Sequence, residues 1–372
     1  MKTCNMLLGA VLGVLAAGTA MAQSNVTVFG VIDATVASRE TSGGARTAQV
    51  SDAGLSSSHF GFRGVEALGD GLTARFELSG FFTGDTGAIG RFSGDTMFSR
   101  SARIGLAGTW GALDFGRMST PYFLSLIMFN PFGDAPLYSP VFLHTYTGGQ
   151  FPISSPPLSG SPTTNGPDSG VSNAVRYTTP VVYGVMASIV YAPGETAGAA
   201  GRHRLIGNIN YHGGALAGSF AFEHDRMAFA NPNQYRQRSY MGSLAYDFGM
   251  LKLFAQLERT MQGSLLAGDD RHTATSQLGV SVPAGIGKIL ASWARSSINL
   301  PSNASPYTVV PGFPVPAAGT RVSGVDPRRD TVTVGYDYSL STRSDVYTMV
   351  MVDRYTGLPS GRSVALGIRH RF

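Results

Sequence analysis

The chain has 372 residues, of which only 14% are charged and 48 are glycine, and its formal net charge is +5. A basic balance can indicate nucleic-acid binding, but the sequence holds no run of basic residues, which argues against that class of function. The single cysteine, Cys4, lies ahead of an apolar stretch near the N-terminus, which excludes disulfide and thiolate chemistry for the rest of the chain.

The first 22 residues have the pattern of a secretory signal peptide. Lys2 precedes an apolar stretch over residues 6–17, and Ala20 and Ala22 form a small-x-small cleavage site. We therefore predict a signal peptide over 1–22 and a mature domain over 23–372. Beyond residue 22 no stretch of about 18 apolar residues occurs, which excludes a transmembrane helix. An exported chain of this kind is either a soluble secreted domain or an outer-membrane barrel.

Polar and apolar residues alternate in many stretches of the mature chain. Over residues 331–340, apolar and aromatic residues share one face, and threonine, aspartate and serine share the other. The stretches 72–79 and 240–248 alternate in the same way. Period-two patterning over about ten residues, repeated along a chain, is typical of a transmembrane β-barrel. A soluble sandwich also alternates, but its polar face usually carries more lysine and glutamate.

This alternation predicts an all-β fold, a 16-stranded antiparallel transmembrane β-barrel with short turns at one end and long loops at the other. The predicted strands are 25–36, 55–66, 71–82, 97–108, 112–117, 173–180, 185–193, 203–212, 215–225, 238–247, 251–262, 271–283, 288–298, 329–339, 344–355 and 362–372. The long connections are 37–54, 83–96, 118–172, 226–237 and 299–328. An open edge in lipid would leave backbone groups without partners, so residues 364–372 are expected to pair with 25–36.

The connection 118–172 is the longest and contains nine prolines. Proline fixes φ and removes a backbone donor, so we expect no regular helix or strand in this segment. A structureless connection of this length is unusual in a compact domain. It can be accommodated inside a wide barrel, which encloses an aqueous channel. We therefore predict that this third long loop folds into the lumen and constricts it.

Several short motifs occur in the order found in a known family. They are Val28-Phe29-Gly30-Val31-Ile32-Asp33, Phe60-Gly61-Phe62-Arg63-Gly64-Val65-Glu66, Leu68-Gly69-Asp70-Gly71-Leu72, Arg103-Ile104-Gly105-Leu106, Leu113-Asp114-Phe115-Gly116-Arg117, Pro131-Phe132-Gly133, Asn173-Ala174-Val175-Arg176-Tyr177-Thr178 and the C-terminal stretch 364–372. The ordered set resembles the Gram-negative general porins of the β-proteobacterial type (Neisseria, Bordetella and Burkholderia) over the whole mature chain. This resemblance implies a homotrimer of sixteen-stranded barrels in the outer membrane, each with its third extracellular loop in the lumen.

The resemblance also implies a pore constriction, with arginines on one wall and carboxylates on the third loop. Arg100 and Arg176 fall on positions similar to two wall arginines of the family. Alternation places Arg63 and Arg75 on the lumen side of their strands. An alternative is that some of these arginines pair with Glu66, Glu77 or Asp114 instead of facing the solute.

Two residues of the expected constriction depart from the family pattern. His59 stands where relatives usually have arginine, and Asp134 is the first carboxylate of the loop, because residues 122–133 contain none. An arginine wall that faces a nearly uncharged loop favours anions.

Alternation and resemblance disagree about the strand 97–108. Alternation groups Ser101, Arg103 and Gly105 on the lumen side and puts Arg100 outside, whereas the resemblance places Arg100 in the lumen. An arginine that faces lipid at mid-depth costs roughly 2–4 kcal/mol. A bulge or a subunit contact would remove the conflict, and the prediction adopted is that Arg100 faces the lumen.

The function predicted from these observations is passive diffusion of ions and small hydrophilic solutes through an outer-membrane porin with anion preference. The expected surroundings are outer-membrane lipid and lipopolysaccharide, and neither nucleic acid nor a cofactor is expected. The histidines His144, His203, His212, His224 and His272 show no metal-ligand spacing. A barrel hydrolase or protease is the alternative from another class, but the sequence shows no Ser/His or Asp/His set for it. An adhesin or structural barrel with a blocked lumen is the second alternative.

Overall fold

A computed structural model describes residues 25–91, 94–145, 169–195, 203–226, 234–264, 271–299 and 328–372. The predicted signal peptide lies outside the described residues, as do 146–168 of the third loop and 300–327 of the last one. Strands β1–β9 are Asn25–Arg39, Thr47–Asp52, His59–Gly69, Leu72–Phe81, Ser101–Gly108, Gly111–Ser119, Gly170–Thr178, Val185–Pro193 and His203–Gly213. Strands β10–β17 are Leu216–Asp225, Gln234–Asp247, Lys252–Ser264, Arg271–Ala284, Gly287–Asn299, Arg328–Ser339, Ser344–Tyr355 and Gly361–Arg371. Helices α1 and α2 are Pro121–Met128 and Pro140–Thr145.

The strands form one antiparallel sheet that closes on itself. From β3 onward each strand pairs with the next in sequence, and β17 pairs with β1 from Val31↔Arg371 to Ser38↔Val364. Closure leaves no sheet edge, as the backbone of a barrel in lipid requires. The predicted sixteen-stranded antiparallel barrel and its closure through the two terminal strands are therefore confirmed.

Seventeen strand segments occupy sixteen positions, because β2 and β3 share one. The first half of β1 pairs with β3, from Asn25↔Val65 to Val31↔His59, and its second half pairs with β2, from Ala34↔Asp52 to Arg39↔Thr47. The prediction of one strand over 55–66 preceded by a loop over 37–54 is therefore wrong in detail. Residues 53–58 interrupt the strand, and the predicted loop contains β2.

Asp33 holds this interruption together from the neighbouring strand. Its buried carboxylate accepts backbone N–H groups from Gly54, Leu55 and Ser56 at 2.9–3.0 Å, and also accepts the hydroxyl of Tyr347. A break in a strand leaves backbone donors without ladder partners, and a carboxylate with several lone pairs satisfies them. The sequence shows a polar residue at this position, but the four donors converge only in the folded barrel.

The two faces of the barrel wall differ in chemistry. In β17, Leu366 and Ile368 are 64% and 52% exposed. Ala365 and Arg369, which point to the other face of the same strand, are 1% and 7% exposed. The same period of two places exposed Val, Ile, Leu and Phe on one face of the other strands and buried Ser, Thr, Asn, Gln and charged residues on the other. We call these the apolar face and the polar face. The alternation predicted from the sequence is thus present.

The described part of the third loop contains two short helices. The prediction that prolines exclude regular helix from 118–172 is wrong, because Pro121 and Pro140 each occupy the start of a helix. Proline is favoured at the first helical position, where its missing N–H would have no partner anyway. Thr120 caps α1, and its hydroxyl accepts the N–H of Phe123 at 3.1 Å.

We call residues 120–145 the inner segment, because it packs against the polar face of the barrel. Its helix α1 lies against β8–β11 and its helix α2 against β13–β15. Tyr122 and Leu126 are fully buried with Val190 and Ile206 of the wall. A second cluster buries Tyr138, Phe132 and Leu143 of the segment against Leu290, Met349 and Met351. Within the described residues, the helices are all too short or too polar to cross a bilayer.

Candidate functional site: an arginine cluster on the polar face

Strands β4–β7, together with Arg100 just ahead of β5, bring four arginines and two carboxylates together on the polar face. We call this set the arginine cluster: Arg75, Arg100, Arg103 and Arg176 with Glu77 and Asp114. The strand register sets the spacing, because Asp114 of β6 stands directly opposite Arg176 of β7, and Glu77 of β4 stands opposite Arg103 of β5. Opposite charges on facing strands attract each other directly across the ladder.

Asp114 is the centre of the cluster. Its fully buried carboxylate receives Arg75 at 2.7 Å, Arg103 at 2.9 Å and Arg176 at 2.8 Å. Arg75 binds with two nitrogens, Nε to Oδ1 and Nη2 to Oδ2, in the bidentate geometry of strong guanidinium–carboxylate pairs. One carboxylate therefore orients three guanidinium groups.

Gly105 makes room for this arrangement. In the register it stands on β5 between Arg75 and Asp114, so the arginine must reach across its backbone. A Cβ at this position would lie 2.5 Å from Asp114 Oδ1 and 2.4 Å from the carbonyl oxygen of Leu113. The Arg75–Asp114 pair thus depends on the absence of a side chain at residue 105.

Glu77 connects the remaining arginines. Arg100 Nη1 lies 3.1 Å from Oε1 and Arg103 Nη2 lies 2.8 Å from Oε2. Arg100 and Arg103 thus contact the same carboxylate. Strand β5 begins at Ser101, so Arg100 precedes the strand and is not bound by its alternation, while Arg103 alternates with exposed Ile104 and lies on the polar face. In the sequence, the alternation of this strand is what indicated that Arg103 lies on the polar face.

Arg63 lies beside the cluster but does not join its ion pairs. The register places it opposite Glu77, yet its guanidinium stacks over the ring of Phe29 at 5.1 Å from the centroid. Such a cation–π contact leaves the positive charge uncompensated. Among the described residues Arg63 has no carboxylate partner.

His59 and Asp134 meet at the interruption between β2 and β3. The His59 ring nitrogen Nδ1 lies 2.9 Å from the carbonyl oxygen of Ser57, and the N–H of Ser57 donates to Asp134 Oδ2 at 3.4 Å. The His59 ring is also edge-on to Phe29 and Phe81. The two predicted constriction residues are thus linked through Ser57, and neither forms an ion pair of the arginine cluster among the described residues.

Side chains of the barrel wall hydrogen-bond to the inner segment. Asn208 donates to the carbonyl oxygen of Pro121 at 3.2 Å, and Gln256 donates to that of Leu126 at 2.9 Å. His144 lies between two wall hydroxyls, those of Ser296 and Thr331, at 2.8 Å from each. The neutral imidazole can donate to one hydroxyl and accept from the other. These hydrogen bonds come from strands that do not carry the arginine cluster, and Met118, Val171 and Ala174 of β6 and β7 also pack against the segment.

The electrostatic result is a positively charged patch. Four guanidinium groups against two carboxylates leave the arginine cluster with a net charge of +2, and Arg63 adds a further positive charge beside it. The four arginine side chains retain between 13% and 31% of their accessible surface, so their charges reach solvent. Asp134 is the only carboxylate of the inner segment. No group of three or more metal-ligating side chains occurs among the described residues.

Known proteins resemble the chain over most of its length. The family model for Gram-negative porins matches residues 9–358. An outer membrane porin protein of Delftia acidovorans is 28% identical over 97% of this chain and 98% of its own length. An outer membrane porin protein of Bordetella pertussis is also 28% identical, over 96% of each chain.

Solved structures show the same fold. An anion-selective porin from Comamonas acidovorans superimposes with a TM-score of 0.73 at 24% sequence identity, over 94% of this chain and 100% of the other. The trimer form of an outer membrane protein of Vibrio cholerae superimposes with a TM-score of 0.65 at 13% identity, over 94% and 99% of the two chains. The architecture is therefore shared at sequence identities that carry little information about individual side chains.

Proposed function

The chain belongs to the Gram-negative porin family, and on this basis we propose that its arginine cluster makes the channel prefer anions. The protein is an outer-membrane β-barrel that forms a water-filled channel for passive diffusion of ions and small hydrophilic solutes. Its apolar face contacts lipid and its polar face lines the channel, as in barrels of this class. The resemblance inferred from the short motifs is confirmed by the family match.

The observation that carries the anion preference is the charge distribution across the channel. In this proposal the inner segment, which carries the single carboxylate Asp134, narrows the lumen, and the net positive cluster with Arg63 lines the wall. A wall with one sign of charge concentrates ions of the opposite sign in a narrow aqueous pore. His59 and Asp134 border the same passage and act as part of the constriction.

Reversal potentials in planar bilayers test this proposal. Under a gradient of KCl the channel is expected to pass chloride in preference to potassium. Arg63→Gln is the sharpest variant, because it removes a positive charge without breaking an ion pair among the described residues. The matched control is Arg362→Gln, at an exposed position of the apolar face. A cation preference in the unmodified protein, or equal shifts in both variants, would contradict the proposed constriction.

The assembled state is proposed to be a homotrimer, surrounded by outer-membrane lipid and lipopolysaccharide, after removal of residues 1–22 as a signal peptide. The family membership and the trimer form of the similar Vibrio cholerae structure support the oligomer. Electrophoresis before and after boiling tests it, and a single band at monomer size under mild conditions would contradict it. The N-terminal sequence of the mature protein tests the cleavage site.

The family membership indicates a channel rather than an enzyme. We extend this to the proposal that the barrel has no hydrolytic activity. Steady single-channel conductance without turnover of ester or peptide substrates is the expected result, and it would also exclude an adhesin with a blocked lumen.

A further inference from the structure

On the apolar face of β10–β12, basic and aromatic side chains replace the aliphatic residues at one end. Leu244 and Leu257 are 51% and 69% exposed in the middle of this face. Further along the same strands the alternation brings Arg238 and Arg259 to the same face, in the place of further aliphatic residues. An arginine here lies among groups that contact lipid.

The strand register assembles these residues into one patch. His224 stands opposite Arg238, and Tyr240 stands opposite Arg259. The His224 ring nitrogen Nε2 lies 2.8 Å from the hydroxyl of Tyr240, which joins the two pairs. Diagonal neighbours on adjacent strands are roughly 7–8 Å apart, so the two guanidinium groups can reach a single tetrahedral anion. We call these four residues the outer basic patch.

The charges of this patch are not balanced within the described barrel wall. The nearby carboxylates of the three strands, Glu223, Asp225 and Glu258, belong to the polar face. Among the described residues, neither Arg238 nor Arg259 has an ion-pair partner. The guanidinium groups of Arg238 and Arg259 are therefore available to bind an anion from the surroundings.

The position of the outer basic patch identifies the leaflet. The patch lies at the strand ends that lead into the connections 226–233 and 265–270. The opposite ends of these strands are joined by the short turns 214–215 and 248–251. In outer-membrane barrels the long connections are extracellular. Tyrosine and arginine at this level are typical of the membrane–water interface, where the side chain reaches the headgroups while its stem stays among acyl chains.

We propose that the outer basic patch binds a phosphate of an anionic lipid in the outer leaflet, with Arg238 and Arg259 as the ligands and Tyr240 and His224 as hydrogen-bonding groups. This deepens the proposed function, on which it rests, because it assigns residues to the contact with phosphorylated glycolipid. The geometry suits phosphate, which accepts several hydrogen bonds from guanidinium groups at once.

Lipid titrations of the purified, full-length mature protein test the assignment. The probes are diphosphorylated lipid A, the same lipid without phosphates, and inorganic phosphate, each measured by native mass spectrometry in one detergent. A basic residue at a charged membrane surface contributes about fivefold in affinity, so Arg238→Gln with Arg259→Gln is expected to weaken binding of diphosphorylated lipid A about 25-fold. Binding of the dephosphorylated lipid is expected to remain unchanged.

Two further variants make the result specific. Arg343→Gln removes a positive charge from the turn at the opposite end of the barrel and is expected to bind lipid as the unmodified protein does. Replacing both Arg238 and Arg259 by Lys keeps the charges and is expected to restore most of the affinity. Equal affinity of the double Gln variant and the unmodified protein would overturn the proposal. Displacement of lipid by an equal concentration of inorganic phosphate would overturn it in favour of a free-anion site.

Two measurements separate lipid binding from a contact between copies of the chain and from the proposed anion preference. A double Gln variant with altered oligomeric state but unchanged lipid affinity would assign the patch to a contact between copies of the chain and overturn lipid binding. Conductance and reversal potential are expected to be the same in the double variant and the unmodified protein. If neither the unmodified protein nor the double variant prefers anions, the proposed anion preference is contradicted, and the lipid site is unaffected.

Discussion

Asp114 shows how a single buried carboxylate can set the charge of a channel wall. Three arginines from three strands converge on it, and only two carboxylates serve the four arginines of the cluster. Breaking a buried pair by removing one partner usually costs 3–5 kcal/mol, because the other charge is left uncompensated, so the cluster is expected to be structurally rigid. Rigid placement of excess positive charge would support the proposed anion preference.

The residue-scale prediction concerns Gly105. Gly105→Ala would place a Cβ 2.4 Å from the carbonyl oxygen of Leu113 and 2.5 Å from Asp114 Oδ1, so the backbone and the Arg75–Asp114 pair must shift. Overpacking of this kind typically costs about 1–3 kcal/mol. We expect a lower unfolding midpoint in heat-modifiability gels and an altered reversal potential.

The matched control for this change is Gly242→Ala. Gly242 is also a strand glycine, but a Cβ there would meet no atom within 4 Å. It is expected to leave both the unfolding midpoint and the reversal potential unchanged. If the two alanine variants behave alike, the close contact at residue 105 is not what orders the cluster.

At the scale of elements, the barrel consists of antiparallel strands, and residues 53–58 interrupt the position shared by β2 and β3. Residues 53–58 leave the ladder between β2 and β3 and contact the inner segment through Ser57 and Asp134. The interruption therefore links the wall to the inner segment. Irregularities of this kind in a strand often re-aim side chains beside a functional site.

Asp33→Asn tests how this element is held. The amide has a single acceptor oxygen and no charge, whereas the carboxylate accepts three backbone N–H groups and the Tyr347 hydroxyl. Hydrogen bonds to a charged group contribute about 1.5–3 kcal/mol each, so the variant is expected to loosen residues 53–58. Faster amide hydrogen exchange at Leu55 and Ser56 would show this.

Tyr347→Phe provides a graded comparison for Asp33→Asn, because it removes only one of the four donors. A smaller increase in exchange is expected. Protection of residues 53–58 that is unchanged in Asp33→Asn would mean that the neighbouring ladders alone hold the interruption.

His144 makes the docking of α2 dependent on pH. Burial of its ring, with a further contribution from the Arg329 guanidinium, holds the pKa of His144 well below its usual value of about 6.5, and the Asp353 carboxylate opposes this only in part. In the unfolded chain the His144 imidazole takes up a proton below about pH 6.5, whereas in the folded barrel the buried imidazole stays neutral. The free energy of unfolding is therefore expected to fall as pH decreases, by about 1.4 kcal/mol per pH unit until the lowered pKa is reached.

Unfolding midpoints at pH 7 and pH 5 check this for the unmodified protein and for His144→Gln. Glutamine keeps hydrogen-bonding capacity towards Ser296 and Thr331 but does not titrate. Its midpoint is expected to change less between the two pH values. Parallel changes in both proteins would assign the acid sensitivity to other groups.

At the scale of the whole molecule, stability depends on closing the ring. The last residue completes this closure, because the N–H and C=O of Phe372 exchange hydrogen bonds of 3.0 Å with those of Gly30. The Phe372 ring also lies against Gly30, where a Cβ would come within 2.5 Å of it. Both ends of the chain must therefore be correctly placed before the barrel is free of exposed backbone groups.

Deletion of Phe372 is expected to reduce the amount of assembled barrel in the outer membrane while export to the periplasm continues. The reason is the loss of the final backbone pair together with a lipid-facing aromatic ring. Cell fractionation measures export to the periplasm, and heat-modifiability gels measure the assembled barrel. Phe372→Ala keeps the backbone pair and is expected to have a smaller effect, and normal assembly of the deletion variant would show that closure does not need the last residue.

The sequence by itself determined the class of the molecule, its strands and most residues of the candidate site. Period-two alternation is a local property, since each residue's face depends only on its position along a strand, so Arg75 and Arg103 could be assigned to the polar face without a structure. Closure of the ring followed from the cost of an open edge in lipid. The family resemblance added the order of the elements and the channel function.

Only the tertiary structure decided which groups meet. The start of β5 at Ser101, the sharing of one strand position by β2 and β3, and the reach of Arg75 across Gly105 depend on register between strands. The helices of the inner segment also depend on burial against the wall, because short proline-initiated helices are not stable alone. These features arise from contacts between residues far apart in the chain, and local patterning carries no information about such contacts.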